Sequence, residues 1–135
     1  MSEPARKAFI VPPGGGRRYP MGPLTAVFKA DLGETAELYS VSEWWLEPRT
    51  GGPTPHQHED EHIYYVLEGT LSVSLDGAWS EAPAGAYIVI PGGVLHTFEN
   101  RSGARAGFIS FNTPGGFEER MAHIAPAMAA ADLSL

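Results

Sequence analysis

From Leu24 to Asn112 the chain is cut into short pieces by Pro48-Arg49-Thr50-Gly51-Gly52-Pro53, Glu68-Gly69, Asp76-Gly77, Pro83-Ala84-Gly85 and Pro91-Gly92-Gly93. Proline and glycine at that density mark turns and leave no room for a long helix. The pieces between them are rich in Val, Ile, Thr, Tyr, Phe and Trp. They read as strands near 24–30, 38–46, 62–67, 71–76, 86–90, 95–99 and 106–112. Many short strands with no helical stretch between them predict an all-β fold, an antiparallel sandwich or barrel.

The two ends differ from this middle. Residues 1–23 read as an extended N-terminal arm, because Pro12, Pro13, Gly14 to Gly16, Pro20 and Pro23 would break a helix or a central strand. Phe9, Ile10 and Val11 suit an extended edge segment. Residues 24–135 then form one domain, a barrel followed by a short C-terminal helix. Phe117, Met121, Ile124 and Met128 recur at helical spacing, and Pro126 should bend or end that helix, which predicts a helix over roughly 115–125. This apolar stripe reads as packing against the barrel.

Composition excludes several partners. A formal charge of −7 and a pI near 5.1 argue against nucleic acid, which needs a basic footprint. No basic amphipathic stretch suits a lipid surface, and no apolar run approaches the roughly 20 residues of a membrane span. The three consecutive apolar residues Phe9 to Val11 are too few for the ~7–15-residue core of a secretory signal. Cysteine is absent, so a disulfide framework, an Fe–S cluster and a thiol nucleophile are excluded. A cytoplasmic location is the expectation.

The chemistry concentrates in Pro55-His56-Gln57-His58-Glu59-Asp60-Glu61-His62-Ile63-Tyr64. On an extended chain His56 and His58 face the same way, and two imidazoles on one face can share a metal ion. After a three-residue turn His62 opens the next strand, with Tyr64 on its face. His96 follows a Gly-Gly turn. Four of the five histidines thus stand at strand ends that can converge. The fifth, His123, lies on the tail helix and reads as an ordinary surface histidine.

This pattern resembles the cupin superfamily, small single-domain and quercetin dioxygenase-like. The first cupin motif is a glycine, His-x-His, three or four residues, a Glu, six residues and a glycine. Here His56-x-His58 is followed by three residues, His62, six residues and Gly69. The second motif is matched in full by Gly85, Pro91-Gly92-Gly93, His96 and Asn100. Two departures stand out. The opening glycine is Gly51, one position closer to His56 than the motif asks, and the motif's Glu is replaced by His62. Glu61 is adjacent, but one step along a strand turns a side chain to the opposite face. His62 is therefore read as the ligand.

The resemblance implies a double-stranded β-helix, or jelly-roll, barrel holding one divalent transition metal (Zn, Ni, Fe, Mn, Co or Cu) on His56, His58, His62 and His96. An all-histidine set lacks the family's anionic ligand and leaves the ion its full charge. Tyr64 and Glu61 are the acid/base candidates, and Glu59, Asp60 and Glu61 otherwise read as a solvated turn. Trp44, Trp45, Tyr64 and Phe98 are candidate pocket walls. The implied activity is that of a dioxygenase-like (quercetinase-like) enzyme on a small enolisable or aromatic oxygenated substrate. The alternatives are a non-redox cyclase, isomerase or lyase, and a non-catalytic ligand-binding protein. A homodimer is expected, with a small-molecule substrate and neither nucleic acid nor membrane as partner.

Overall fold

The structure is a computed structural model that describes residues 6–135; the first five residues of the expected arm lie outside the described residues. Among the described residues there are nine strands: β1 (Arg17–Met21), β2 (Leu24–Ala30), β3 (Ser40–Leu46), β4 (Glu61–Glu68), β5 (Thr70–Leu75), β6 (Ala78–Pro83), β7 (Tyr87–Ile90), β8 (His96–Glu99) and β9 (Ala106–Thr113). They form a six-stranded sheet in the order β1-β2-β3-β9-β4-β7 and a three-stranded sheet β6-β5-β8. Every pairing is antiparallel. This is the antiparallel two-sheet fold that the strand text predicts, arranged as the jelly roll that the resemblance implies.

Alternation builds the core between the sheets. Along β4, His62, Tyr64 and Val66 are buried while Ile63 and Tyr65 face outward. Trp44 of β3 turns inward and Trp45 outward, which settles a choice that the sequence leaves open. Phe28, Leu46, Val66, Leu71 and Phe108 are sealed from solvent around it. Trp45 lies flat across Gly107 on the neighbouring strand, where any Cβ would overlap the ring. The guanidinium of Arg105 covers it at 4.2 Å. On the outer face of the same sheet Tyr65 pairs with Tyr87, and Ile63 lies between Val89 and Phe111. Tyr65, Tyr87, Val89 and Phe111 form an exposed apolar patch there.

Three elements depart from the sequence reading. Residues 17–21 of the expected arm form β1 and pair with β2, whereas 6–16 carry no strand. Strand β6 was not expected, since five of its six residues are exposed and no alternation betrays it. The tail makes a 3-10 turn, Phe117–Arg120, and then helix α1 (Met121–Ala130), which runs through Pro126. An interior proline costs about 3 kcal/mol. Returning Met128 to the core contributes about 1.5–3 kcal/mol and offsets most of it. Beyond α1 the chain is tied back to the barrel, with Gly51 N–H donating to the Leu133 carbonyl at 2.6 Å and Leu135 N–H to Arg49 at 3.1 Å. Among the described residues no helix is long and apolar enough to cross a membrane.

Candidate metal centre

Two segments carry the histidines to one place. His56 and His96 are joined by reciprocal main-chain hydrogen bonds, His56 N–H to His96 O at 3.0 Å and His96 N–H to His56 O at 2.9 Å. The loop of the second motif is pinned under His58 by Gly93 N–H, which donates to the His58 carbonyl at 2.8 Å. Gly92 touches the Glu59 carbonyl so closely that a Cβ there would overlap it. Asn100 closes the same motif, its amide donating to the carbonyls of Leu46, Glu47 and Ala104. The ring centroids of His56 and His96 are 4.4 Å apart, those of His58 and His96 4.9 Å, and those of His58 and His62 4.1 Å.

Hydrogen bonding sets which nitrogen of each ring is free. Nδ1 of His56 donates to the Thr54 carbonyl at 2.9 Å, and Nδ1 of His96 to the Val94 carbonyl at 2.8 Å. Nδ1 of His58 lies 3.2 Å from the Asp60 carbonyl and 3.1 Å from its Oδ1. With the proton on Nδ1, each Nε2 keeps its lone pair. The Nε2 atoms of His58 and His96 are buried without a partner. One ring nitrogen each from His56, His58 and His96 lies within 4.8 Å of the other two.

His62 is held differently. Its Nε2 sits 3.1 Å from Asp60 Oδ2, and its Nδ1 is buried and unpartnered. A second triad, His58, Asp60 and His62, meets the same 4.8 Å limit. The four rings therefore gather as two overlapping triads that share His58.

Buried nitrogens without partners are costly unless something satisfies them. Burial, then neighbouring imidazoles, pull His62 down to about 3. Burial pulls His96 down to about 4, and it lowers His58 although Asp60 opposes it. All three are neutral near pH 7, the state a metal ion requires. Neutral imidazoles in this number fit a transition metal better than Mg or Ca. The residues present can hold such an ion.

Asp60 is the residue the sequence reading placed wrongly. Rather than standing in a solvated turn it is 7% exposed. Its carboxylate accepts from Arg120 Nη2 at 2.9 Å and Asn112 Nδ2 at 3.3 Å besides the two histidines. Burial alone would raise its pKa, but His58, Arg120 and His62 together hold it below the ordinary carboxylate value. Its separation of two residues from both His58 and His62 was the one signal available in the sequence. Arg120, sixty positions away, gave none.

Of the two acid/base candidates, Tyr64 joins the cluster and Glu61 does not. The Tyr64 ring is 6.1 Å from that of His62 and 3% exposed, and burial, then Asp60, raise its phenol pKa, so the hydroxyl stays a proton donor. Glu61 opens β4 with the opposite parity to His62 and stands on the other face. Of the candidate walls, Trp44, Tyr64 and Phe98 line a cavity of about 390 Å³ with His56 and His62, and Trp45 lies outside it. Phe117, Ile124, Met128 and Leu133 of the C-terminal segment close the far side. The tail stripe is therefore pocket wall as well as core.

Known proteins share this fold. The family described as Cupin domain matches residues 42–112, more than half of the chain. A quercetin 2,3-dioxygenase of Bacillus subtilis (strain 168) is 30% identical over 109 residues, covering 79% of this chain. The chain spans about a third of that relative's length, 32%. An RmlC-like cupin from Shewanella frigidimarina superposes with a TM-score of 0.68 at 17% identity, over 85% of this chain and 99% of the other. KdgF from Halomonas sp. gives 0.63 at 21% identity, over 72% and 84%. An oxalate decarboxylase of Bacillus subtilis gives 0.69 at 17%, over 78% and 29%. At these identities the structural likeness is one of fold.

Proposed function

The chain belongs to the cupin family, and from that premise we propose that it is a metal-dependent, dioxygenase-like enzyme acting on a small enolisable or aromatic oxygenated substrate. The observation that carries this reading is the meeting of unpartnered histidine nitrogens with an aromatic cavity, since His62 belongs to both and His56 lines the cavity beside it. His56, His58, His62 and His96 would hold one transition-metal ion. When bound, that ion supplies Lewis acidity, and with a redox-active metal an electron path, toward a substrate oxygen. Asp60 fixes the rings of His58 and His62 through its two oxygens. Tyr64 keeps its proton and offers a hydrogen bond to an oxygen in the cavity. Trp44, Phe98 and Phe117 exclude water from the space beside the histidines. The similarity to a quercetin 2,3-dioxygenase supports the oxygenase over other metal chemistries.

The runner-up is a non-redox cyclase, isomerase or lyase, favoured by a histidine at the motif's carboxylate position and by a cavity with no acidic side chain among the described residues that line it. A homodimer in the cytoplasm completes the proposal, and the apolar outer face of the six-stranded sheet supports the dimer. The deciding experiment starts with metal analysis of protein purified without added metal. O2 uptake is then measured against flavonols and β-diketones. Stoichiometric O2 consumption supports the oxygenase, whereas turnover that continues anaerobically assigns the non-redox class. Protein that takes up no transition metal refutes both.

A further inference from the structure

The cavity beside the histidines is walled largely by apolar side chains. At about 390 Å³ it falls at the small end of ligand sites. Trp44, Tyr64, Phe98 and Phe117 wall it, and among the described residues that line it none is Asp, Glu, Lys or Arg. Arg120 packs on the ring of Phe117 at 5.4 Å, but its guanidinium is engaged with Asp60 and does not line the cavity. The Tyr64 side chain is buried, lines the cavity and has His62 beside it.

A ligand here finds hydrogen-bonding groups beside Tyr64 and the histidines and aromatic or aliphatic surface over much of the remaining wall. We propose that the cavity takes an uncharged molecule of one to three rings with its oxygen on the edge facing Tyr64, and rejects anions that carry charge away from that edge. A carboxylate buried against the aromatic walls would lose its hydration and gain no counter-charge. This deepens the proposed function, resting on the cavity as its substrate site, but binding can be tested without turnover.

Titration calorimetry on the metal-free full chain compares 2-naphthol with naphthalene-2,6-dicarboxylate, the same ring system with charge at both ends. At least a hundredfold preference for 2-naphthol is expected. Ala127 lines the cavity from α1, whereas Ala130 on the same helix does not. Ala127→Trp should weaken 2-naphthol binding at least tenfold and Ala130→Trp should leave it unchanged. Ala131→Trp, from another lining position, replaces the first variant if that one does not fold. Comparable affinity for the two naphthalenes, or full binding with the cavity obstructed, overturns the proposal. A negative O2-uptake screen bears on the reaction and leaves this binding result standing.

Discussion

Replacing Asp60 by asparagine removes one charge while keeping the shape of the side chain. The carboxylate now serves His58, His62, Asn112 and Arg120 at 2.9–3.3 Å. An amide has a single acceptor oxygen, so its nitrogen must face two of those donors, either His58 with Arg120 or His62 with Asn112. If it faces His62 or His58, a buried charge-assisted hydrogen bond of about 1.5–3 kcal/mol is lost. The Arg120 partner contributes less, about 0–1 kcal/mol, because its side chain is 43% exposed. Losing the group that orients a ligand typically lowers metal affinity about 10–100-fold, or roughly 1.4–2.7 kcal/mol, which agrees with the hydrogen-bond figure. Asp60→Asn is therefore expected to lower zinc affinity by that factor in chelator competition. The melting temperature of the metal-free protein should fall by about 5–12 °C. Zinc affinity within twofold of the parent would refute the orienting role.

Metal-free protein should lose stability on acidification. The unfolded histidines titrate near 6.5, whereas His62 and His96 fold with values of about 3 and about 4. The unfolded chain therefore binds more protons, so the contribution is complete above pH 6.5 and declines as the pH falls toward 4. The loss amounts to about 2 kcal/mol per histidine at pH 5, and urea midpoints equal at pH 7.5 and pH 5 would contradict it. His62→Ala should weaken metal binding, and His62→Glu should restore it through an anionic ligand. If both variants match the parent in metal content and turnover, His62 is neither ligand nor catalyst. Light scattering at low micromolar concentration should give twice the 14.5 kDa chain mass, and a monomer mass would count against the dimer.

The histidines were legible because their signal is local. His56, His58 and His62 lie within seven residues, and strand parity alone separates His62 from Glu61. The burial of Tyr64 and Val66 followed from the same alternation. What stayed hidden depends on distant partners. Asp60 looks like a turn residue until Arg120 and Asn112 arrive from the tail and β9. Helix α1 outlasts Pro126 because Met128 finds the core, and propensity carries no record of that. Strand β6 has no buried face to announce it and exists by pairing with β5 from Thr70↔Pro83 to Leu75↔Ala78.

The main-chain bridge between His56 and His96 bears on which ion the protein carries in a living cell. Two of the proposed ligands are tethered to each other without help from an ion, so capture would not have to organise that part of the chain. Affinities of such a frame follow the intrinsic order of the first-row ions, in which copper binds most tightly. The barrel then has little means of refusing the wrong metal. Under the proposed function occupancy would be set by supply, by which ion the surroundings keep available when the chain folds, and protein from different expression hosts is expected to carry different metals.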